Sequence, residues 1–199
     1  MRVAGLDPSL ACTGYARPDG SVARIPTSTD HPTLDRIDRI DRELRRLLGT
    51  RLVLDPDAPP EEVLVPELVV VEGFGGGGRG REAGLKITGL GTVLRLTIWR
   101  AGIPLVEVAP ATLKLYATGN GRADKRAMRE AYADRLRPTI ADRPLDVGHD
   151  EIDALWLRDV GRWLVEEDPV AGPHPDAAAS SIDRIRTGFV TVGRPAARS

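Results

Sequence analysis

The sequence predicts an α/β fold, in which a mixed five-stranded sheet carries helices on both faces. Three short strands open the chain as an antiparallel meander, and the Asp19-Gly20 pair before the third is typical of a hairpin turn. Further along, apolar strands alternate with helices, which is typical of parallel strands joined by helical crossovers. The predicted strands are residues 3–6, 12–16, 20–25, 68–71 and 103–108.

Helices are predicted where apolar residues recur at spacings of three and four. The clearest case is 34–48, where an apolar stripe faces a charged surface. The segment 84–101 is predicted to be helical although it contains three glycines. Each glycine costs about 1 kcal/mol in a helix interior, so we expect close packing or a nearby ligand there. The other predicted helices are 110–116, 123–136 with a cap at Arg122 or its neighbours, and 150–165.

A length of 199 residues fits one main domain, predicted over 1–166, followed by a Pro- and Ala-rich linker and a C-terminal tail over 167–199. A proline-rich spacer is predicted at 54–66. Cys12 is the only cysteine, which excludes an intrachain disulfide and a thiolate metal cluster and favours a reducing compartment. No apolar run resembles a signal peptide or a membrane span. We therefore expect a cytoplasmic protein.

The charge of the chain is unevenly distributed. A net charge of −1 argues, taken alone, against a simple polycationic nucleic-acid binder. Between Arg79 and Arg137, however, 12 basic and 5 acidic residues give a local charge of +7, and the rest of the chain carries −8. Of the 28 basic residues only three are lysines, and all three lie in this basic segment. The segment predicts a surface that attracts a polyanion.

Four acidic residues lie where an α/β fold is expected to carry its functional site. Asp7 and Glu72 end two strands, and ligands gather at the carboxyl ends of strands in open α/β sheets. Asp150 and Asp153 lie three residues apart near the start of a helix and share one face. Converging carboxylates repel one another unless cations neutralise them, and all-oxygen ligands select Mg²⁺ or Mn²⁺. Beside a basic surface, such a cluster indicates two-metal hydrolysis of a phosphodiester.

Each of these acids also has a purely structural interpretation. Asp7 could close an Asx turn, and Glu72 could mark the point where a strand reaches solvent. Asp150, Glu151 and Asp153 could be the ordinary acids of a helix N-terminus. Asp150 and Glu151 compete for one ligand position, and Asp150 is favoured because it shares a face with Asp153.

Three motifs together resemble the RuvC family of Holliday-junction resolvases, which has an RNase H-like fold. They are GLDPSLACTGYA at 5–16, VVVEG at 69–73 and HDEIDA at 149–154. Each motif is short, but their order and spacing match the family, and the resemblance extends from about residue 3 to residue 164.

The resemblance implies a homodimeric endonuclease that resolves four-way DNA junctions by paired symmetric nicks, with two Mg²⁺ ions per site and Mn²⁺ able to substitute. It implies neither a nucleotide cofactor nor a membrane partner. By motif, the four acids correspond to the catalytic metal ligands, and Lys114 and Lys125 to basic positions near the scissile phosphate and the junction backbone. Phe74 corresponds to the aromatic residue that probes the junction centre. The residues expected to bind DNA are Phe74, Arg79, Arg81, Lys86, Lys114, Arg122, Lys125 and Arg126.

Some features depart from the family pattern. Pro8-Ser9 stands where cellular members usually carry Pro-Gly, the spacer is long, and the tail has no counterpart. Such variation is more typical of a phage-encoded or otherwise divergent member. Three other functions stay open: a related nuclease that cuts RNA or flap and fork DNA, a junction-binding protein that does not cleave, and an ATPase of the actin–hexokinase fold. The last would need a second, duplicated domain, for which 199 residues leave little room.

Overall fold

The computed structural model describes residues 1–49, 65–73, 81–140, 147–165, 171–175 and 177, without the side chains of 81–83 and 139. The predicted spacer therefore lies almost wholly outside the described residues. Within these ranges, no helix combines the length and the apolar content that a bilayer crossing requires.

Five strands form one sheet in the spatial order β3-β2-β1-β4-β5. The first three pair antiparallel, and β4 and β5 continue the sheet in parallel with β1. This arrangement confirms the predicted mixed sheet, a three-strand meander extended by two parallel strands. The strands are β1 Val3–Asp7, β2 Cys12–Ala16, β3 Val22–Pro26, β4 Leu68–Glu72 and β5 Leu105–Val108.

Helices cover both faces of the sheet, as predicted. They are α1 Thr33–Leu47, α2 Arg81–Arg100, α3 Pro110–Thr118, α4 Lys125–Ala131 and α5 His149–Leu164. Helices α1 and α2 pack on one face, and α3, α4 and α5 pack on the other. Along β4, Val69 and Val71 pack in the core beneath α1 and α2, and Leu68 and Val70 pack in the core beneath α3, α4 and α5. Burial on both faces explains why this strand is a continuous apolar run.

One helix prediction needs correction. The helix expected over 123–136 is α-helical only to Ala131 and continues as a π-helical turn over Tyr132–Leu136. Its cap is Asp124, whose carboxylate accepts a hydrogen bond from the backbone N–H of Ala127 at 2.9 Å, and not Arg122. An aspartate is the better cap because its oxygen accepts from an otherwise unpaired N–H at the helix start.

Close packing, one of the two reasons expected for the glycines of α2, does not apply at two of the three positions, and a nearby ligand stays a prediction. A Cβ built on Gly84 would meet nothing within 4 Å, and one on Gly89 would meet only the Cδ1 atom of Ile37 at 4.0 Å. Only Gly91 is buried. Among the described residues, therefore, close packing does not explain Gly84 or Gly89.

Two other glycines permit the contact that brings α5 onto the sheet. A Cβ on Gly5 of β1 would lie 1.9 Å from the carbonyl oxygen of Ala154, and one on Gly14 of β2 would lie 2.1 Å from that of Asp150. Both distances are far below van der Waals contact, so only glycine lets the helix backbone approach this closely. The two glycines thereby place the first turns of α5 against the carboxyl end of β1.

We predict that Gly5→Ala lowers the free energy of unfolding by at least about 3 kcal/mol, because helix and sheet must separate to admit one methyl group. Gly84→Ala is the matched control, since it adds the same methyl group in open space and removes a helix-interior glycine. It is expected to raise stability by up to about 1 kcal/mol. Urea unfolding followed by circular dichroism measures both, and a Gly5→Ala protein as stable as wild type would contradict the close contact.

Part of the predicted linker is packed against the domain. The backbone N–H groups of Ala171 and Gly172 donate to the buried carboxylate of Asp159 at 3.2 and 3.1 Å. The Arg135 guanidinium donates to the carbonyl oxygen of Gly172 at 2.7 Å, and the N–H of His174 donates to that of Tyr116 at 2.8 Å. These hydrogen bonds hold residues 171–174 against the domain. The rest of 167–199, apart from Ala177, lies outside the described residues, and the domain boundary at 166 stays a prediction.

Candidate active site

The strand order brings Asp7 and Glu72 to one edge of the sheet. Strands β1 and β4 are parallel neighbours, and the register that pairs Leu6 with Val71 places the two acids side by side, one residue later. Asp7 is buried, with 6% of its surface exposed, and its carboxyl group interacts directly with that of Glu72. Burial and the proximity of Glu72 both raise the pKa of the Asp7 carboxyl group.

Helix α5 contributes Asp150 and Asp153, and it packs on the face of the sheet towards which Asp7 and Glu72 point. Its backbone lies against Gly5 and Gly14, so its first turns stand over the end of β1. Both aspartates are close enough to Asp7 to act on its ionisation. The four predicted acids are thus brought together.

Burial and mutual repulsion make these carboxyl groups hard to ionise. Desolvation raises the pKa of Asp7 well above its ordinary value, and the negative charges of Glu72, Asp153 and Asp150 raise it further. The pKa of Asp153 is raised to about 7, first by burial and then by the charges of Glu72 and Asp150. Such a site is arranged to accept positive charge.

Two of the predicted basic residues face this site. Lys114 lies on α3 and Lys125 begins α4, and the positive charge of each counteracts the rise in the pKa of Asp153. Lys86, Arg122 and Arg126 are exposed outside the acidic group, and Arg126 pairs with Glu130 at 3.9 Å. Phe74 and Arg79 lie outside the described residues. Arg81 begins α2, but its side chain is likewise outside them.

Glu151 has a different structural role from that of Asp150. Its carboxylate accepts a hydrogen bond from the backbone N–H of Gly148 at 2.6 Å, which caps α5, and it pairs with Arg24 at 3.6 Å. Asp150 lies instead with Asp7 and Asp153. The ion pair of Arg24 with Glu151 could not be predicted from the sequence, because Arg24 lies at an outward position on an edge strand and has no local pattern that indicates this partner.

The donor set fits a hard divalent cation. All four groups offer oxygen, the ligand type that Mg²⁺ and Mn²⁺ prefer. In the part of the chain that the structure describes, however, no group of three or more His, Cys, Asp or Glu side chains is already arranged to hold a metal ion. The type of donor therefore fits a divalent cation, although the side chains are not in the arrangement of a formed metal site.

Comparisons with known proteins give a consistent result, although no family model matches the chain. The RuvC crossover junction endodeoxyribonuclease of Synechococcus sp. strain WH7803 is 30% identical over 154 residues, which cover 73% of this chain and 90% of that protein. The RuvC of Gloeobacter violaceus is 29% identical over 171 residues, which cover 86% of this chain and 92% of that protein. The RuvC of Rhodococcus opacus is 31% identical over 159 residues, which cover 79% of this chain and 78% of that protein.

Solved structures show the same fold. The chain superimposes on T. thermophilus RuvC in complex with Holliday junction substrate with a TM-score of 0.61, covering 86% of this chain and 98% of that one at 20% identity. For the Thermus thermophilus RuvC structure the TM-score is 0.56. The motifs, the sheet order and these relatives agree, and the chain belongs to the RuvC family of crossover junction endodeoxyribonucleases.

Proposed function

We propose that the protein is a metal-dependent endonuclease that resolves four-way DNA junctions. The observation that carries the proposal is the convergence of Asp7, Glu72, Asp150 and Asp153 on one edge of the sheet. The relatives support the substrate, because curated members are named crossover junction endodeoxyribonucleases and one solved neighbour is bound to a Holliday junction. Paired symmetric nicks require two sites, so the active form is a homodimer.

The four carboxylates would hold the metal ions. When ionised they carry four negative charges in a largely buried place, and two divalent cations neutralise that charge fully. Bound Mg²⁺ or Mn²⁺ lowers the pKa of an attacking water and stabilises the charge that develops on the leaving oxygen. The residues of the chain supply rigid placement, because Asp7 and Glu72 end hydrogen-bonded strands and Asp150 and Asp153 lie on a helix held against Gly5 and Gly14.

The two lysines complete the arrangement on the DNA side. Lys114 approaches the site from α3, where its ammonium group can donate to a non-bridging oxygen of the scissile phosphate. Lys125, at the start of α4, can contact the neighbouring backbone. Lys86, Arg122 and Arg126 would extend the basic surface, together with the predicted Arg79 and Arg81, and Phe74 stays the predicted residue that probes the junction centre.

The test is cleavage of a labelled mobile four-way junction by the purified full chain, with and without Mg²⁺. Matched linear duplex, flap, fork and RNA substrates of the same sequence are assayed in parallel. We expect paired nicks in the four-way junction only, and only with Mg²⁺ or Mn²⁺. Preferential cleavage of RNA or of a flap would assign a different substrate to the enzyme. Binding without cleavage in the presence of Mg²⁺ and of Mn²⁺ would refute the nuclease assignment.

For the role of Lys114, we predict that Lys114→Ala lowers the single-turnover cleavage rate about a hundredfold, a size typical of one lost charge-stabilising donor. Junction affinity should change less than threefold, because the backbone contacts elsewhere remain. Lys114→Arg retains the charge and should recover part of the rate. Rate and affinity falling by equal factors in Lys114→Ala would instead indicate a role in binding alone.

A further inference from the structure

A cavity of about 310 Å³ lies outside the carboxylate site, between the end of β3 and the start of α1. That volume is at the lower end of the range for small-ligand sites. Three of its seven lining residues are Arg36, Arg39 and His31, and Asp35 is its one acid. Nothing in the carboxylate site explains why two arginines should face this space.

One arginine of the cavity is held in position by the loop that follows Asp7. The Nε of Arg36 donates to the hydroxyl of Thr27 at 2.8 Å, and its Nη2 donates to the carbonyl oxygen of Leu10 at 2.9 Å. The Thr27 hydroxyl donates to that same carbonyl. Within the described residues, Nη1 of Arg36 makes no hydrogen bond, so part of the guanidinium remains for a ligand.

The other arginine is not neutralised. Neighbouring pairs on α1 join Arg42 to Asp38 at 2.7 Å and Arg45 to Asp41 at 2.8 Å. Arg39 is exposed, and in the ranges that the structure covers it forms no ion pair. An immobilised guanidinium beside an unpaired one is a suitable receptor for a phosphate, because planar forks of N–H groups match two phosphate oxygens.

The cavity opens at the same edge of the sheet as the carboxylates. Gly14 pairs with both Asp7 and Arg24, so Arg24 of β3 lies level with Asp7 of β1, and Pro26 at the end of β3 lies two residues further in the same direction. The two strands are separated by two strand spacings, about 10 Å. Together with the two-residue offset of about 7 Å along the strand, this places the ends of β1 and β3 about 12 Å apart, which is the rise of about three to four base pairs along one DNA strand. A backbone held at the carboxylates can therefore also reach the cavity.

We propose that this cavity, lined by Arg36, Arg39 and His31, binds a phosphate of the nucleic-acid backbone a few nucleotides from the scissile phosphate. The proposal rests on the proposed function, because it gives the nuclease a second anchor on the same strand. The anchor acts on binding and register, and the chemistry stays at the carboxylates.

The test compares wild type with Arg39→Ala, Asp35→Asn and the control Arg2→Ala. Arg2 is exposed at the opposite edge of the sheet and carries the same charge, so its loss leaves the cavity intact. Affinity for a fluorescent four-way junction is measured without divalent cation over a range of salt concentrations. For Arg39→Ala we expect a salt slope shallower by about one unit. The ratio of wild-type to variant affinity should accordingly shrink about threefold from about 50 to about 200 mM salt.

Asp35→Asn should shift affinity in the opposite direction, and Arg2→Ala should leave the slope unchanged. Equal behaviour of Arg39→Ala and Arg2→Ala would refute the site. A titration with inorganic phosphate, followed by the NMR signals of His31, separates a free anion from a DNA backbone. Phosphate binding with no effect of Arg39→Ala on DNA would refute the backbone assignment. Failure of wild type to bind any junction would refute the proposed function and this inference with it.

Discussion

Asp7→Asn is expected to abolish junction cleavage and to leave junction binding intact. Asp7 is the most buried of the four acids and is in electrostatic contact with the other three, so the loss of its charge should disturb the proposed metal site most. Metal ions supply several kcal/mol of transition-state stabilisation, and a loss of about 4 kcal/mol corresponds to about a thousandfold in rate. Single-turnover cleavage with Mg²⁺ measures the rate, and fluorescence anisotropy measures binding.

Asp134→Asn serves as the matched control, since it makes the same change at an exposed position on the π-helical turn. It should cleave at the wild-type rate. The same assay separates the two candidates for the fourth ligand. Asp150→Asn should lose cleavage, whereas Glu151→Gln should lose stability first, because its carboxylate caps α5 and pairs with Arg24. Loss of binding together with cleavage in Asp7→Asn would contradict a purely catalytic role for this carboxylate.

The sequence predicted the sheet because the strand signals are local. The Asp19-Gly20 turn specifies a hairpin, and the apolar run before Glu72 specifies a strand buried on both faces. Once β1 and β4 are parallel neighbours, their final residues must lie together, so the pairing of Asp7 with Glu72 follows from topology.

Features that depend on distant contacts were not predictable. Nothing around Gly5 shows that the backbone of α5 will lie against it, and nothing around residues 171–175 shows that Asp159 will accept two of their N–H groups. Close packing was wrongly expected at two glycines of α2 for the same reason, since composition does not report what lies opposite a helix. Arg24 was missed because its partner Glu151 is 127 positions away in the sequence.

The last expectation concerns the metal-free protein, which should become more stable when Asp153 is replaced by Asn. The pKa of Asp153 is about 7 in the folded state against an ordinary 3.8, because the site is buried and Glu72 and Asp150 repel a further negative charge. The folded state therefore binds a proton that the unfolded state has already released between about pH 4 and about pH 7. The free energy of unfolding must therefore fall as the pH rises through that window. Above about pH 7 the full destabilisation by the ionised Asp153 is present.

A shift of this size corresponds to about 4 kcal/mol, and for a chain of this length to a Tm difference of about 10 °C. At pH 8 in EDTA, the Tm of Asp153→Asn should exceed that of wild type by about 10 °C. This difference in Tm should shrink as the pH is lowered towards 4. Mg²⁺ should then stabilise wild type and leave the variant almost unchanged, because a ligand that binds only the folded state raises its stability. Differential scanning calorimetry across pH, with and without Mg²⁺, measures both effects.

Glu107→Gln is the control, and it should change the Tm in the opposite direction. Its hydrogen bond with Arg95 lowers the pKa of Glu107, so this carboxylate stabilises the fold above pH 4.5 and its removal should lower the Tm. Its response to Mg²⁺ should equal that of wild type, because it lies outside the acidic site. If Asp153→Asn melted at or below the wild-type temperature in EDTA at pH 8, the repulsion among the four carboxylates would be relieved without a cation. The physical argument that they form a metal site would then fail, whatever the cleavage assays showed.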